Sequence, residues 1–172
     1  MAITKIQSES LNLADDFAFT GTITGAGGNM KPVFGAKMSS NQSWGDATTA
    51  KVQFNAEDFD ADGVFDSTTN YRFTPNVAGK YFITVSAKVF DTNGRIYHAE
   101  AYLRKNGSTI KETYKDLRLS AGFGYFDVLE INHIVDMNGS TDYLEYYVYL
   151  DGSGTLSVTT SSSFFQGYKI IE

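Results

Sequence analysis

The chain has 172 residues and a formal net charge of −6, with 42% hydrophobic and 15% aromatic residues. A chain of this size holds one domain with a sizeable core and a short appendage. The acidic balance argues against nucleic-acid binding, which needs a basic face to displace counterions from phosphates. The sequence contains no cysteine, which excludes disulfides and thiolate metal sites and fits assembly in a reducing cytoplasm.

Residues 1–30 differ in pattern from the rest and predict an extended N-terminal arm with a glycine-rich hinge at 25–28. The large apolar side chains of the arm fall at odd positions, and so share one face of an extended segment: Leu11, Leu13, Phe17, Phe19 and Ile23. Such a face either contacts a partner protein as an anchor, for example by adding a strand to a sheet edge, or folds back on its own domain.

From residue 31 onward the sequence favours β-structure, and about ten short antiparallel strands are predicted. These strands are predicted at 31–37, 51–54, 71–73, 79–90, 95–104, 109–114, 125–135, 142–150, 155–160 and 164–171. The clearest is 79–90, where every second residue is apolar. The turn segments at 93–94, 106–107 and 151–154 predict hairpins between the strands that they join. Since no helical period is present, the pattern indicates an all-β sandwich or jelly roll.

Three blocks of sequence carry a resemblance to a known family. They are 52–83, with Phe-Thr-Pro at 73–75 and Ala-Gly-Lys-Tyr-Phe at 78–82; 103–107, with an Asn-Gly tip; and 163–170, with a Ser-Phe-Phe-Gln-Gly-Tyr run. In this order they resemble the C1q-like domain of the C1q/tumour necrosis factor superfamily. The resemblance covers 31–172, but 137–142 lacks a Gly-Asp pair frequent in the family and no collagen-like stalk precedes the domain.

The resemblance implies a jelly-roll sandwich of about ten antiparallel strands that works as a tight homotrimer. Six aromatic residues are predicted to fill the core between the sheets: Phe54, Phe65, Phe73, Tyr81, Phe165 and Tyr168. The predicted strand 142–150 is apolar on both faces, so one face needs a cover outside the core. The tyrosines on that second face, Tyr143, Tyr147 and Tyr149, are predicted at the trimer interface.

An acidic loop at 58–66 has the alternating carboxylates followed by glycine that calcium loops use. Its candidate ligands are Asp58, Asp60, Asp62 and Asp66. Because Thr69 stands where an EF-hand needs a bidentate glutamate, an EF-hand is not expected. The loop either holds a looser calcium site, the one cofactor considered for this chain, or is a solvated acidic loop.

No catalytic motif is present, and we expect the protein not to be an enzyme, with no catalytic residues. The sequence has no Gly-x-Ser-x-Gly elbow, no His-Glu-x-x-His and no P-loop. Trp44, in a predicted loop rich in serine, asparagine and glutamine, is the candidate for stacking on a glycan ring. Its alternative role is that of a loop anchor packed on the sandwich edge.

We therefore predict a structural protein of a tailed bacteriophage virion. Three features support it: no secretory signal or membrane span is evident, cysteine is absent, and an arm (1–30) precedes a knob (31–172). The opening residues are also similar to the starts of phage fibre proteins. The expected partners are the chain itself, as a homotrimer, a capsid or fibre protein bound through the arm, and a host-surface glycan. The alternative is a free-standing bacterial C1q-like adhesin or glycan-binding module.

Overall fold

The structure is a computed structural model that describes residues 30–91, 96–119, 122–123, 125–153 and 155–170. The arm residues predicted to bind a partner lie outside the described residues, so their role stays a prediction. Within the described residues the secondary structure consists of β-strands and turns. None of these residues belongs to a helix of the length and hydrophobicity that a membrane span needs.

Fourteen strands are numbered in chain order. They are β1 Val33–Lys37, β2 Gln42–Trp44, β3 Thr48–Lys51, β4 Ala56–Phe59, β5 Phe65–Asp66, β6 Arg72–Phe73, β7 Gly79–Phe90, β8 Ile96–Lys105, β9 Ser108–Asp116, β10 Arg118–Leu119, β11 Gly122–Phe123, β12 Phe126–Met137, β13 Leu144–Gly152 and β14 Leu156–Lys169.

The strands form two antiparallel sheets that face each other. Sheet A has the order β12-β7-β14-β1-β4, with β2 beside β14. Sheet B has the order β5-β6-β13-β8-β9, with β3 beside β13. A separate ribbon pairs β10 with β11. The predicted all-β sandwich is therefore confirmed.

Period-two alternation places the core between the sheets. On β7 the side chains of Tyr81, Ile83, Val85, Ala87 and Val89 are all fully buried. On β13 the matching set is Leu144, Tyr146, Val148 and Leu150, which is also fully buried. Since successive side chains of a strand point to opposite faces, the residues between these positions face outward on both sheets. Any partner that binds a face of either sheet therefore contacts these outward residues.

An aromatic cluster closes one end of the core. Phe34 stacks on Phe73 with ring centroids 4.4 Å apart and on Phe65 at 5.2 Å, and meets the edge of Phe165 at 5.3 Å. These four rings come from β1, β6, β5 and β14, and so tie both sheets together. Five of the six aromatic residues predicted for the core are buried.

The sixth, Tyr168, was placed wrongly by the sequence pattern. It is 39% exposed because it alternates with Gly167, whose position faces the core against Ile83 and Phe34. A Cβ at Gly167 would lie 2.6 Å from Ile83 Cδ1, so this inward position is kept by the residue without a side chain. Tyr168 consequently lies on the outer face of sheet A.

Two predicted hairpins are also wrong. The strands around 93–94 do not pair, because β7 belongs to sheet A and β8 to sheet B. The strands around 151–154 do not pair either, since β13 and β14 lie in opposite sheets. In both places the chain passes from one sheet to the other. The third hairpin is confirmed: β8 and β9 pair around Asn106 and Gly107, whose φ angles of 52° and 83° suit a type I′ turn.

The last two predicted strands are one strand, β14, interrupted by a bulge. Its register on β7 shifts between Thr159 and Phe164. Within the bulge Ser162 has a φ of 60° and its carbonyl accepts a 2.8 Å hydrogen bond from the Ser86 hydroxyl. The Ser163 hydroxyl accepts from the Lys88 amide at 2.9 Å. These contacts replace the ladder bonds that the bulge removes, so the strand continues.

Candidate functional site

An apolar row crosses the outer face of sheet A. The registers pair Val33 with Tyr168, Tyr168 with Phe82, and Phe82 with Ile134. Directly opposite residues in antiparallel strands share one face, so these four side chains form a row across β1, β14, β7 and β12. The rings of Phe82 and Tyr168 lie 5.7 Å apart. We call these four residues the apolar row.

The ring of Phe59 extends the apolar row at the β4 edge. Phe59 lies across Gly35, where a Cβ would stand 2.7 Å from the ring, so only glycine lets β4 lay this ring on the sheet. Between Phe59, Phe82 and Tyr168 is an open cavity of about 290 Å³ with mostly apolar walls. Two positions along each strand, the next residue on the same outer face is small or polar. These residues are Gly35, Gln166, Thr84 and Asn132.

The opposite edge of sheet A carries apolar side chains that project outward. On β12, Ile134 is 54% exposed and Phe126 is 59% exposed. Phe126 is covered in part by the Lys88 ammonium, 4.9 Å from its ring centroid. Sheet A therefore presents a cavity that spans β7, β14, β1 and β4, and projecting apolar groups on its β12 edge. Sequence patterns missed this face because the same-face neighbours of Phe82 and Ile134 along their strands are polar: Lys80 and Thr84 on β7, and Asn132 and Asp136 on β12.

The three tyrosines predicted at a trimer interface lie on the outer face of sheet B, where each meets a side chain of its own chain. The guanidinium of Arg72 lies 4.3 Å from the Tyr143 ring centroid, and that of Arg104 lies 4.1 Å from the Tyr147 centroid. The rings of Tyr149 and His98 are 5.3 Å apart. Their interface role stays a prediction, but their rings are already partly covered.

Burial raises the pKa of two phenols on this face, those of Tyr102 and Tyr149. Burial first, then the hydrogen bond and negative charge of Glu100, raises the pKa of Tyr102 to about 12. Burial likewise raises the pKa of Tyr149, with Asp151 adding to the shift. Both phenols are protonated at neutral pH, as an unperturbed phenol is, and that of Tyr102 donates a hydrogen bond to Glu100.

The carboxylates of the predicted calcium loop have other partners. Asp60 accepts hydrogen bonds from the amides of Val64 at 3.0 Å and Phe65 at 2.7 Å. Asp58 forms an ion pair with Lys37. Asp62 has one buried oxygen that makes no hydrogen bond within the described residues. In the part of the chain that the structure describes, no three acidic, histidine or cysteine side chains are grouped to hold a metal ion. Calcium binding stays a prediction without a ligand cluster to support it.

Asp66 closes the turn after β5. Its carboxylate accepts the backbone amides of Thr69 at 2.8 Å, Thr68 at 3.0 Å and Asn70 at 3.1 Å. These bonds, that of Thr69 above all, hold the pKa of Asp66 well below its usual 3.8 despite the opposing effect of burial. The carboxylate pattern that suggests a metal loop thus also suits a turn held by backbone donors.

We expect Asp66→Ala to lower the free energy of unfolding at pH 7 by about 2 kcal/mol, because three amides lose their acceptor. A carboxylate whose folded pKa is depressed stabilises the fold above its unfolded pKa, and the contribution is lost as the pH falls below 3.8 toward the folded value. The difference in the free energy of unfolding between the wild type and the variant should therefore narrow from pH 4 to pH 2. Urea titrations across this range measure it, and Asp58→Ala, whose ion pair is exposed, is the matched control. If this difference in the free energy of unfolding were the same at every pH, the stabilisation would not come from the ionised Asp66 carboxylate.

Trp44 does not lie in a loop. It ends β2, pairs with Leu156 of β14, and packs half-buried against the core. This placement matches the alternative of a structural anchor, because the ring is engaged within its own chain. Glycan stacking on Trp44 stays a prediction.

Comparisons with known proteins bear on the fold. No family model and no curated protein sequence matches the chain. Among solved structures, murine APRIL matches with a TM-score of 0.59 at 10% identity, over 80% of this chain and 98% of that one. Eiger TNF from S. frugiperda gives 0.54 at 9% identity, over 81% and 91%. The globular domain of the zebrafish complement 1qA protein gives 0.52 at 16% identity, over 83% and 99%.

The fold is a C1q/TNF-like jelly roll. At these identities the likeness concerns the fold alone, and it confirms the predicted jelly roll. The fold exposes two outward sheet faces on which a partner can bind. One carries the apolar row of sheet A, and the other is the tyrosine-rich face of sheet B.

Proposed function

We propose that the protein is a non-enzymatic structural subunit of a tailed bacteriophage virion. In this proposal it forms a homotrimeric knob, made in the host cytoplasm and held to the capsid or a fibre by its arm. The knob stabilises the particle, adheres to a host surface, or does both. The observation that supports the self-association in this proposal is the exposed apolar row on sheet A, which a monomer would leave in water.

A ring of three copies explains the asymmetry of sheet A. The cavity spans β7, β14, β1 and β4, and the projecting Ile134 and Phe126 lie on the edge strand β12. When one surface patch meets a different patch on the next copy, the contact is heterologous and closes into a ring if the rotation permits. In the proposed trimer, the β12 edge of each copy packs against the cavity of its neighbour. The C1q-like resemblance implies the same number of subunits.

The start of the domain supports a link between the arm and this interface. Met30 is 54% exposed and, with Lys31, Val33 and Tyr168, lines a second open cavity of about 340 Å³. The chain thus enters the domain at one end of the apolar row. In the proposal, three arms leave the trimer close to its interface and reach a common partner on the particle.

Deletion of residues 1–28 tests the assignment. Light scattering at micromolar concentration should give three times the chain mass for each form, with a chain mass of 18.9 kDa for the full-length protein and a smaller one for the deleted form. Only the full-length form should bind virions that lack the protein, in a sedimentation assay. A monomeric full-length protein would overturn the trimer, and undiminished attachment of the deleted form would overturn the anchoring role. A free-standing adhesin would instead bind its glycan equally with and without the arm.

A further inference from the structure

Two arginines on the outer face of sheet B have no carboxylate partner. Many described cations form ion pairs, among them Lys51 with Glu145 at 2.5 Å and Lys105 with Asp142 at 2.9 Å. For Arg72 and Arg104, no acidic group of the described residues lies within 4.0 Å, and each guanidinium is instead held on a tyrosine ring. Arg104 Nε is also buried without a hydrogen-bond partner in the described part of the chain. This arrangement is unusual in a chain of net charge −6.

The topology places both arginines beside one strand. Arg104 pairs with Glu145 on β13, and Arg72 precedes Phe73, which pairs with Leu144. Arg72 and Arg104 therefore flank Glu145 from the two neighbouring strands, about 10 Å apart at their Cα atoms. Lys51 binds the Glu145 carboxylate from the β3 side. Three cations thus surround one carboxylate, and only Lys51 binds it within 4.0 Å.

Nearby carboxylates keep their negative charge, but they bind other donors and leave the guanidinium N–H groups without an acceptor among the residues that the structure describes. Asp66 pairs with Arg72 in register, but its oxygens accept the amides of residues 68–70. Asp142 binds Lys105 and the Asn106 side chain. Glu100 accepts the Tyr102 hydroxyl, farther along β8. Each acidic group is engaged by another donor.

A guanidinium stacked on a ring has fixed geometry and keeps its outward N–H groups for a ligand. Two N–H groups on one edge of the guanidinium form a fork. A fork binds a carboxylate with two parallel hydrogen bonds, which a lysine ammonium cannot do. Tyr143 and Tyr147 are half-buried, so they add apolar surface beside each fork. Two forks on an open sheet suit a linear ligand that repeats its anionic group better than a single small anion.

We propose that the Arg72–Arg104 face of sheet B binds an acidic polysaccharide through the carboxylates of its uronate sugars. The inference deepens the adhesive part of the proposed function and names a ligand class for it. It does not require the virion assignment or the trimer, because every residue of the site comes from one chain.

Affinity electrophoresis tests the site, with polygalacturonate as the uronate chain and dextran as the neutral chain. The wild-type protein should be retarded by polygalacturonate and not by dextran. Arg104→Gln and Arg72→Gln should each weaken binding about tenfold, since each removes a charge-assisted pair. Arg104→Lys should recover only part of the loss. Lys111→Gln is the matched control, because it also removes one positive charge. Lys111 is exposed on the edge strand β9, where it pairs with Leu103 of β8.

Three outcomes would overturn the inference. They are wild-type mobility that is the same in both polymers, an equal loss of binding in Lys111→Gln, and equal retardation by polyphosphate. The last would mean that any polyanion binds. Light scattering and circular dichroism of the same samples separate this result from the proposed function. A folded monomer that polygalacturonate still retards would refute the trimer and keep the site.

Discussion

Phe34→Ala is expected to lower the free energy of unfolding by about 3–5 kcal/mol, the range for truncating a buried aromatic residue. Phe34 is fully buried and contacts the rings of Phe65, Phe73 and Phe165, which come from both sheets. The neighbours are held by their own strands, so they cannot collapse into the space that the ring leaves. Urea unfolding followed by Trp44 fluorescence measures the change, at one protein concentration because self-association shifts the midpoint.

Tyr114→Ala is the control for this prediction. Tyr114 is 54% exposed on the outer face of sheet B, so its loss removes a ring of similar size without opening a cavity. We expect a change of less than about 1 kcal/mol. If the two variants were equally destabilised, the Phe34 cluster would not be the part of the core that joins the sheets.

Much of this fold follows from local patterns. The strand at 79–90 was predicted with its observed bounds because its alternation is long and regular. Strand pairing was harder, as β7 and β8 show. Their connection has the sequence of a hairpin turn, yet the strands lie in different sheets. A turn sequence describes a few backbone angles, whereas the partner of a strand depends on burial that distant segments supply.

The outward faces were the least predictable part. Phe82 and Ile134 are separated by more than fifty residues, and only the β7–β12 register makes them neighbours. Tyr168 was expected in the core because aromatic residues usually are, but the glycine beside it takes the inward position. The Asp58–Asp66 loop was ambiguous for another reason. Carboxylates at alternate positions bind backbone amides as readily as cations, and only the coordinates show which donors are present.

Ile134→Glu is expected to convert the proposed trimer to monomers at micromolar concentration. Burial of an isoleucine side chain contributes about 1.5–3 kcal/mol, and a glutamate at the same place would have to leave water without a partner. The dissociation constant should therefore rise at least about a hundredfold, since each 1.4 kcal/mol is tenfold. In the proposed trimer each of the three contacts between subunits contains this residue once, so all three weaken together. Light scattering over a dilution series measures the change.

Tyr114→Glu separates this effect from a general cost of added charge. Tyr114 has the same 54% exposure as Ile134, but it lies on sheet B, away from the apolar row. We expect Tyr114→Glu to remain trimeric, and both variants to keep the circular dichroism of a folded β-protein because both positions are exposed. If Ile134→Glu stayed trimeric while Tyr114→Glu dissociated, sheet B would carry the interface. That result would return Tyr143, Tyr147 and Tyr149 to the subunit contact and would place the arginine face inside it, where no polysaccharide could reach.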